Sequence, residues 1–118
     1  MTKARFMTNC VVGIAAMFVW IAVPASADEV AIEIGNFTFG PHELKVKSGT
    51  TVTWVNEDDI PHTVVSLNNF RSKALDSDDK FSFTFTTPGT YKYFCSLHPH
   101  MTGTIVVEAA TGSITPQQ

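Results

Sequence analysis

Phe94-Cys95-Ser96-Leu97-His98-Pro99-His100-Met101-Thr102-Gly103 places a thiol, an imidazole and a thioether within seven residues, in the spacing Cys-x2-His-x2-Met. These are the soft and borderline donors that hold copper in both of its common oxidation states. Thr90 to Phe94 reads as a strand entering the stretch and Thr104 to Glu108 as a strand leaving it, so the stretch itself reads as a tight loop. Cys-x2-His alone is a weak signal. A Met three places further on, strands on both sides and another His upstream make it a strong one.

A fourth donor has to come from elsewhere in the chain. His100 stands two residues from His98 and is expected to point away, either as plain rim or as a pH-sensitive part of a docking surface. His42 follows Pro41 in a turn and reads as a surface residue. His62, directly after the polar loop Asn56-Glu57-Asp58-Asp59-Ile60-Pro61, is the natural candidate. Two imidazoles and a thiolate with a weak axial thioether form the blue-copper arrangement, which lies between the preferences of Cu(I) and Cu(II). The bland alternatives are a buried apolar Cys, a gap-filling Met and a surface His. Each loses force when the donors are counted together.

The rest of the composition agrees. Lys3 and Arg5, the apolar run Cys10 to Val23 and the small-residue pattern Ala25-Ser26-Ala27 read as a cleaved secretory signal over residues 1–27, which implies export to a periplasm. Beyond residue 27 the chain has one Cys, Cys95, and one Met, Met101, both in the same loop. A lone Cys in an exported protein forms no internal disulfide and is open to oxidants, so a metal is a fitting protector. Lys3 and Arg5 are two of the eight basic residues, whereas all eleven acidic residues lie beyond residue 27, so the processed chain is acidic. No basic patch points to nucleic acid, and no second apolar run points to membrane insertion. A single domain over 28–118 is expected, with residues 109–118 as a flexible tail.

Period-two alternation marks the strands: Val30 to Phe39 with a break at Gly35-Asn36, then Leu44–Lys47, Thr51–Val55 and Thr63–Leu67. Phe81–Thr86, Tyr91–Phe94 and Thr104–Glu108 follow. Asn68 to Asp79 has no clear period and reads as a crossover with at most a turn of helix. Trp54 and the Phe81/Phe83/Phe85 row read as core. The fold class is therefore all-β, a Greek-key sandwich or barrel of about seven to eight strands with antiparallel pairing. The clusters Glu57-Asp58-Asp59 and Asp76-Ser77-Asp78-Asp79 read as solvated turns, with steering of a basic partner as the functional alternative.

Val52-Thr53-Trp54-Val55-Asn56, Pro61-His62-Thr63-Val64 and the run from Gly89 to Met101 resemble the cupredoxins, the small blue copper proteins, and most of all their amicyanin, plastocyanin and pseudoazurin branch. The likeness spans Val30 to Glu108. It implies His62, Cys95 and His98 as equatorial ligands of one type 1 copper per chain and Met101 as the axial ligand. It also implies that Asn56 ties the first ligand loop to the backbone just beyond the Cys. The edge of His98, in an apolar patch, would be the electron port. By likeness to short-loop members, His98 would protonate and leave copper in the reduced form.

Two features depart from the amicyanins: they carry a longer segment ahead of the first strand, and they usually have an aromatic residue where His100 stands. The resemblance therefore does not extend to methylamine dehydrogenase as electron donor. The function expected is that of a monomeric, periplasmic electron carrier and not an enzyme, serving redox proteins such as a c-type cytochrome or a periplasmic or membrane-bound oxidoreductase. The alternative is a periplasmic protein for copper delivery or buffering, to which a single Met is poorly suited.

Overall fold

A computed structural model describes residues 28–110. The expected signal segment, residues 1–27, and residues 111–118 of the expected tail lie outside the described residues. The described chain is built of nine strands: β1 (Glu29–Gly35), β2 (Thr38–Gly40), β3 (Glu43–Lys47), β4 (Thr50–Asn56), β5 (Val65–Ser66), β6 (Phe70–Arg71), β7 (Lys80–Phe85), β8 (Gly89–Cys95) and β9 (His98–Glu108). They form two sheets, in the orders β2-β1-β4-β7 and β3-β9-β8-β5-β6.

The all-β sandwich expected from the alternation is the fold observed. Strand β4 shows why: Val52, Trp54 and Asn56 point inward and are buried, while Thr51, Thr53 and Val55 between them are only partly covered. With side chains alternating across a strand, one face of each sheet supplies the core. Trp54 lies at its centre, with its ring centroid 5.4 Å from that of Tyr93 and 5.7 Å from that of Phe81.

Four details differ from the sequence reading. The sheets are mixed, because β1 runs parallel to β4 and β3 parallel to β9. The chain crosses to the other sheet between the members of each parallel pair, a long-range event that local alternation does not record. Second, Val30 to Phe39 is a hairpin: Gly35 pairs with Thr38 across a two-residue turn, and Phe37 at its tip is 51% exposed. Asn36 and Phe37 both have left-handed backbones, with φ of 50° and 60°. That conformation costs a non-glycine residue roughly 1–2 kcal/mol.

Third, the crossover after Asn68 carries strand pairing that the sequence showed no period for. It contains β6 and an isolated bridge between His62 and Leu75. Fourth, β9 begins at His98, inside the donor loop, and not at Thr104.

Gly103 sits where β9 passes over the buried Tyr93 ring, and a Cβ built there would lie 2.2 Å from Tyr93 Cζ. Tyr93 is itself held by Trp54 and Phe39. Gly103→Ala is therefore expected to destabilise the metal-free protein by about 1–3 kcal/mol through overpacking. A denaturation midpoint equal to the wild type would contradict this packing.

Candidate metal centre

Two loops at one end of the sandwich carry the donors. Cys95 ends β8 and His98 begins β9, joined by the tight turn Ser96-Leu97 with Cys95 paired to His98. One residue earlier the register jumps, since Phe94 pairs with Thr102. Pro99, His100 and Met101 are left without partners on β8, and this bulge lets Met101 turn inward to 5% exposure. In a regular strand, residues 98 and 101 would face opposite sides. His100 remains exposed on the rim.

His62 lies between β4 and β5, where the chain crosses between sheets. Its backbone is pinned on both sides by Leu75, with His62 N donating to Leu75 O at 3.1 Å and Leu75 N donating to His62 O at 2.7 Å. The ring is fully buried. His62 Nδ1 lies 3.8 Å from Cys95 Sγ, and His98 Nδ1 lies 3.6 Å from the same sulfur. The three donor atoms all fall within 4.8 Å of one another, close enough for one ion to touch them all. Met101 lies beside them. His42 is elsewhere, exposed and 3.4 Å from the Thr102 hydroxyl.

The orientation of the His62 ring follows from Asp58. The Asp58 carboxylate accepts from Asn36 N at 2.6 Å and Phe37 N at 3.0 Å, and its Oδ2 lies 2.8 Å from His62 Nε2. The amide of Phe37, and after it those of Asn36 and the His62 ring, hold this carboxyl below its ordinary pKa against the opposing effect of burial. An ionised carboxylate only accepts, so the His62 Nε2–H donates to Asp58, and Nδ1 is the nitrogen turned towards the sulfur. A carboxylate behind a ligating imidazole fixes the ring and raises its basicity. Asp58 is thus part of the site, where the sequence reading had placed a solvated turn. The signal was its position four residues before His62, but its two acidic neighbours, Glu57 and Asp59, hid it.

The sulfur is also prepared. Thr63 N donates to Cys95 Sγ at 3.3 Å, and the Thr63 hydroxyl lies 3.7 Å away. Burial pushes the thiol pKa up, but the Thr63 amide, the two imidazoles and the Thr63 hydroxyl outweigh it and hold it down at about 6.

Asn56 does not make the bond that the resemblance implied. Its side chain donates to Ile60 O and Leu75 O, both at 2.8 Å, and accepts from Asp58 N at 2.9 Å, so it braces the His62 loop and ties it to the crossover at Leu75. Thr63 supplies the tie to the other loop, its hydroxyl accepting from Ser96 N at 2.8 Å. Asn56 points into the sandwich from β4, where Ile60, Leu75 and Asp58 occupy its side chain, whereas Thr63 is adjacent to the ligand and faces the sulfur.

One thiol, two imidazoles and a thioether, converging from two braced loops on a strand-built frame, define a class of small copper proteins. The model of the cupredoxin-like domain matches residues 9–107, and the chain belongs to that family. It is similar to amicyanin from Paracoccus versutus, 36% identical over 93 residues that make up 74% of this chain and 70% of that protein. Amicyanin from Paracoccus denitrificans is 38% identical over 96 residues, covering 72% of this chain and 73% of that one. A solved Cu(I) structure of an amicyanin variant superposes with a TM-score of 0.66 at 34% identity, over 68% of this chain and 82% of that one. The cofactor of this donor set is one type 1 copper, and the residues present fit it.

In the metal-free protein the ultraviolet thiolate absorbance should appear as pH rises through about 6, so that Cys95 is mostly ionised at neutral pH. Thr63→Val keeps the amide but removes the hydroxyl, and should move that midpoint upward. A midpoint near the ordinary thiol value in the unmodified protein would contradict the hydrogen-bonded arrangement round the sulfur.

Proposed function

We propose that this chain is an exported type 1 copper electron carrier, with His62, Cys95, His98 and Met101 as ligands, moving single electrons between larger redox proteins. The observation that carries the reading is the pair of imidazole Nδ1 atoms facing one buried sulfur, 3.8 and 3.6 Å away. Bound copper supplies a reversible one-electron change. The protein's part is to keep the ligands still while that charge changes. Asp58 holds the His62 ring, Leu75 holds its backbone, Asn56 braces Ile60 and Leu75, and Thr63 joins the His62 loop to Ser96. All of these bonds run between protein groups, so the protein itself braces the ligand frame.

The four donors leave no position for a substrate, which is why a carrier and not an enzyme is proposed. His98 is the less buried of the two imidazoles, and Leu97 beside it is 52% exposed. The half-buried edge of His98 within this apolar rim is the proposed port for partners such as a c-type cytochrome or an oxidoreductase. The basic and apolar segment 1–27 supports export to the periplasm, where the chain would act as a monomer. Among the described residues no helix is long and apolar enough to cross a membrane.

The test is an optical and electron paramagnetic resonance spectrum of the copper-loaded chain. An intense thiolate-to-copper band is expected, and Cys95→Ser should abolish it; an intensely blue Cys95→Ser protein would overturn the ligand assignment. Met101→Leu should retain copper and raise the reduction potential, because losing the axial thioether favours the lower charge on the metal. An unchanged potential would count against Met101 as axial ligand. Ready transfer of copper to an acceptor protein, without reversible redox cycling, would instead favour delivery.

A further inference from the structure

The tip of the β1–β2 hairpin breaks a rule of turn chemistry. Its two central residues, Asn36 and Phe37, both lie in the left-handed region, with φ of 50° and 60°. Turns of this kind favour Asn followed by Gly, because a bulky side chain at positive φ crowds its own backbone. Asn36 conforms to the rule. Phe37 does not, and burial gives it no reason to, since it is 51% exposed.

What the Phe37 ring touches is the metal centre. Its centroid lies 5.6 Å from that of His62 and 5.1 Å from that of His98, with interplanar angles of 87° and 90°. Such edge-to-face contacts are favourable and directional. They matter unequally to the two histidines. His62 is already pinned through Nε2 by Asp58 and through its backbone by Leu75. Among the described residues, the only hydrogen-bonding contact of the His98 ring is with Cys95 Sγ through Nδ1. Its remaining orientation comes from its edge contacts with His62, at 5.0 Å, and with Phe37.

The hairpin tip does not hold this conformation unaided. Asp58 accepts from both of its amides while it also engages His62. A single carboxylate thus joins a ligand to the segment that covers both ligands. A costly backbone conformation that sets a side chain against functional groups is a pointer to function.

We propose that Phe37 is a positioning residue for His62 and His98, latched over the outer side of the metal centre by Asp58, and that it slows the loss of copper. The inference rests on the copper-carrier reading above. Its physical content is that His98 leaves the site only by swinging outward, and the Phe37 ring stands against it.

The test compares the wild type with Phe37→Gly, which suits the turn, and Phe37→Leu, which keeps an apolar side chain without the aromatic edge. Cu(I)-loaded protein is mixed with excess bathocuproine disulfonate, and the rate of copper transfer is followed. Separately, the His98 ring resonances and their cross-relaxation with residue 37 are recorded in the metal-free protein. Phe37→Gly is expected to unfold at the same or a higher denaturant concentration than the wild type, yet to release copper about tenfold faster or more. Its His98 ring signals should show averaging absent from the wild type.

Release at the wild-type rate with unchanged His98 signals would overturn the proposal. If Phe37→Gly proves poorly folded, Phe37→Leu decides: faster release supports the latch, and equal release removes it. If the wild type lacks a thiolate-to-copper band, the carrier reading falls, and the metal-free resonances still decide whether Phe37 orders His98. A blue wild type whose Phe37→Gly form behaves identically sinks this inference alone.

Discussion

The sulfur of Cys95 is fully shielded from water, and a charge in such a place is costly unless fixed donors replace its hydration. Here the replacements are the Thr63 amide and hydroxyl, with the two histidine rings close by. None of these can be moved without exposing or stranding the thiolate. Residues 62 and 63 must therefore lie against the end of β8, which fixes how the crossover between β4 and β5 meets the second sheet. The requirement of one atom constrains the meeting of two loops.

Around that atom the polar side chains divide the work. Asn56 closes the His62 loop on itself, Asp58 orients the imidazole and Thr63 fastens the loop to Ser96. Each is satisfied by partners of its own, so the network costs little when buried and resists distortion when the charge at its centre changes. A carrier needs this stiffness, because rearranging ligands would slow every electron it accepts or gives up. The same stiffness argues against easy transfer of the metal to another protein.

The surface over the site is of a different character. Leu97 and Phe37 are both about half exposed, and the partly buried His98 lies between these apolar groups. Asp76 and Asp78 sit in an exposed turn, whereas Asp58 is turned in towards His62. Acidic residues that look alike along the chain thus differ in place: Asp76 and Asp78 face solvent, and Asp58, facing inward, orients the ligand.

The spacing of Cys95, His98 and Met101 declared the donor chemistry by itself, because soft ligands of those types at that separation have few other uses. Alternation in β4 and β7 declared the sandwich, since a strand buried on one face has to repeat every second residue. Parallel pairing of β1 with β4 was not legible, because it depends on where the chain goes between them. Phe37 read as alternating with Phe39 after a break at Gly35-Asn36, yet it lies with Asn36 in the two-residue turn between Gly35 and Thr38, which carries it outward onto the histidines. Asp58 read as part of a solvated turn and Thr63 as a strand residue, although Asp58 orients the ligand and Thr63 makes the tie expected of Asn56. Residue type and local period decided which atoms could bind copper and which faces were buried. Only the tertiary fold decided which polar side chains stand behind those atoms, because a hydrogen bond depends on direction and distance across loops that the order of residues does not encode.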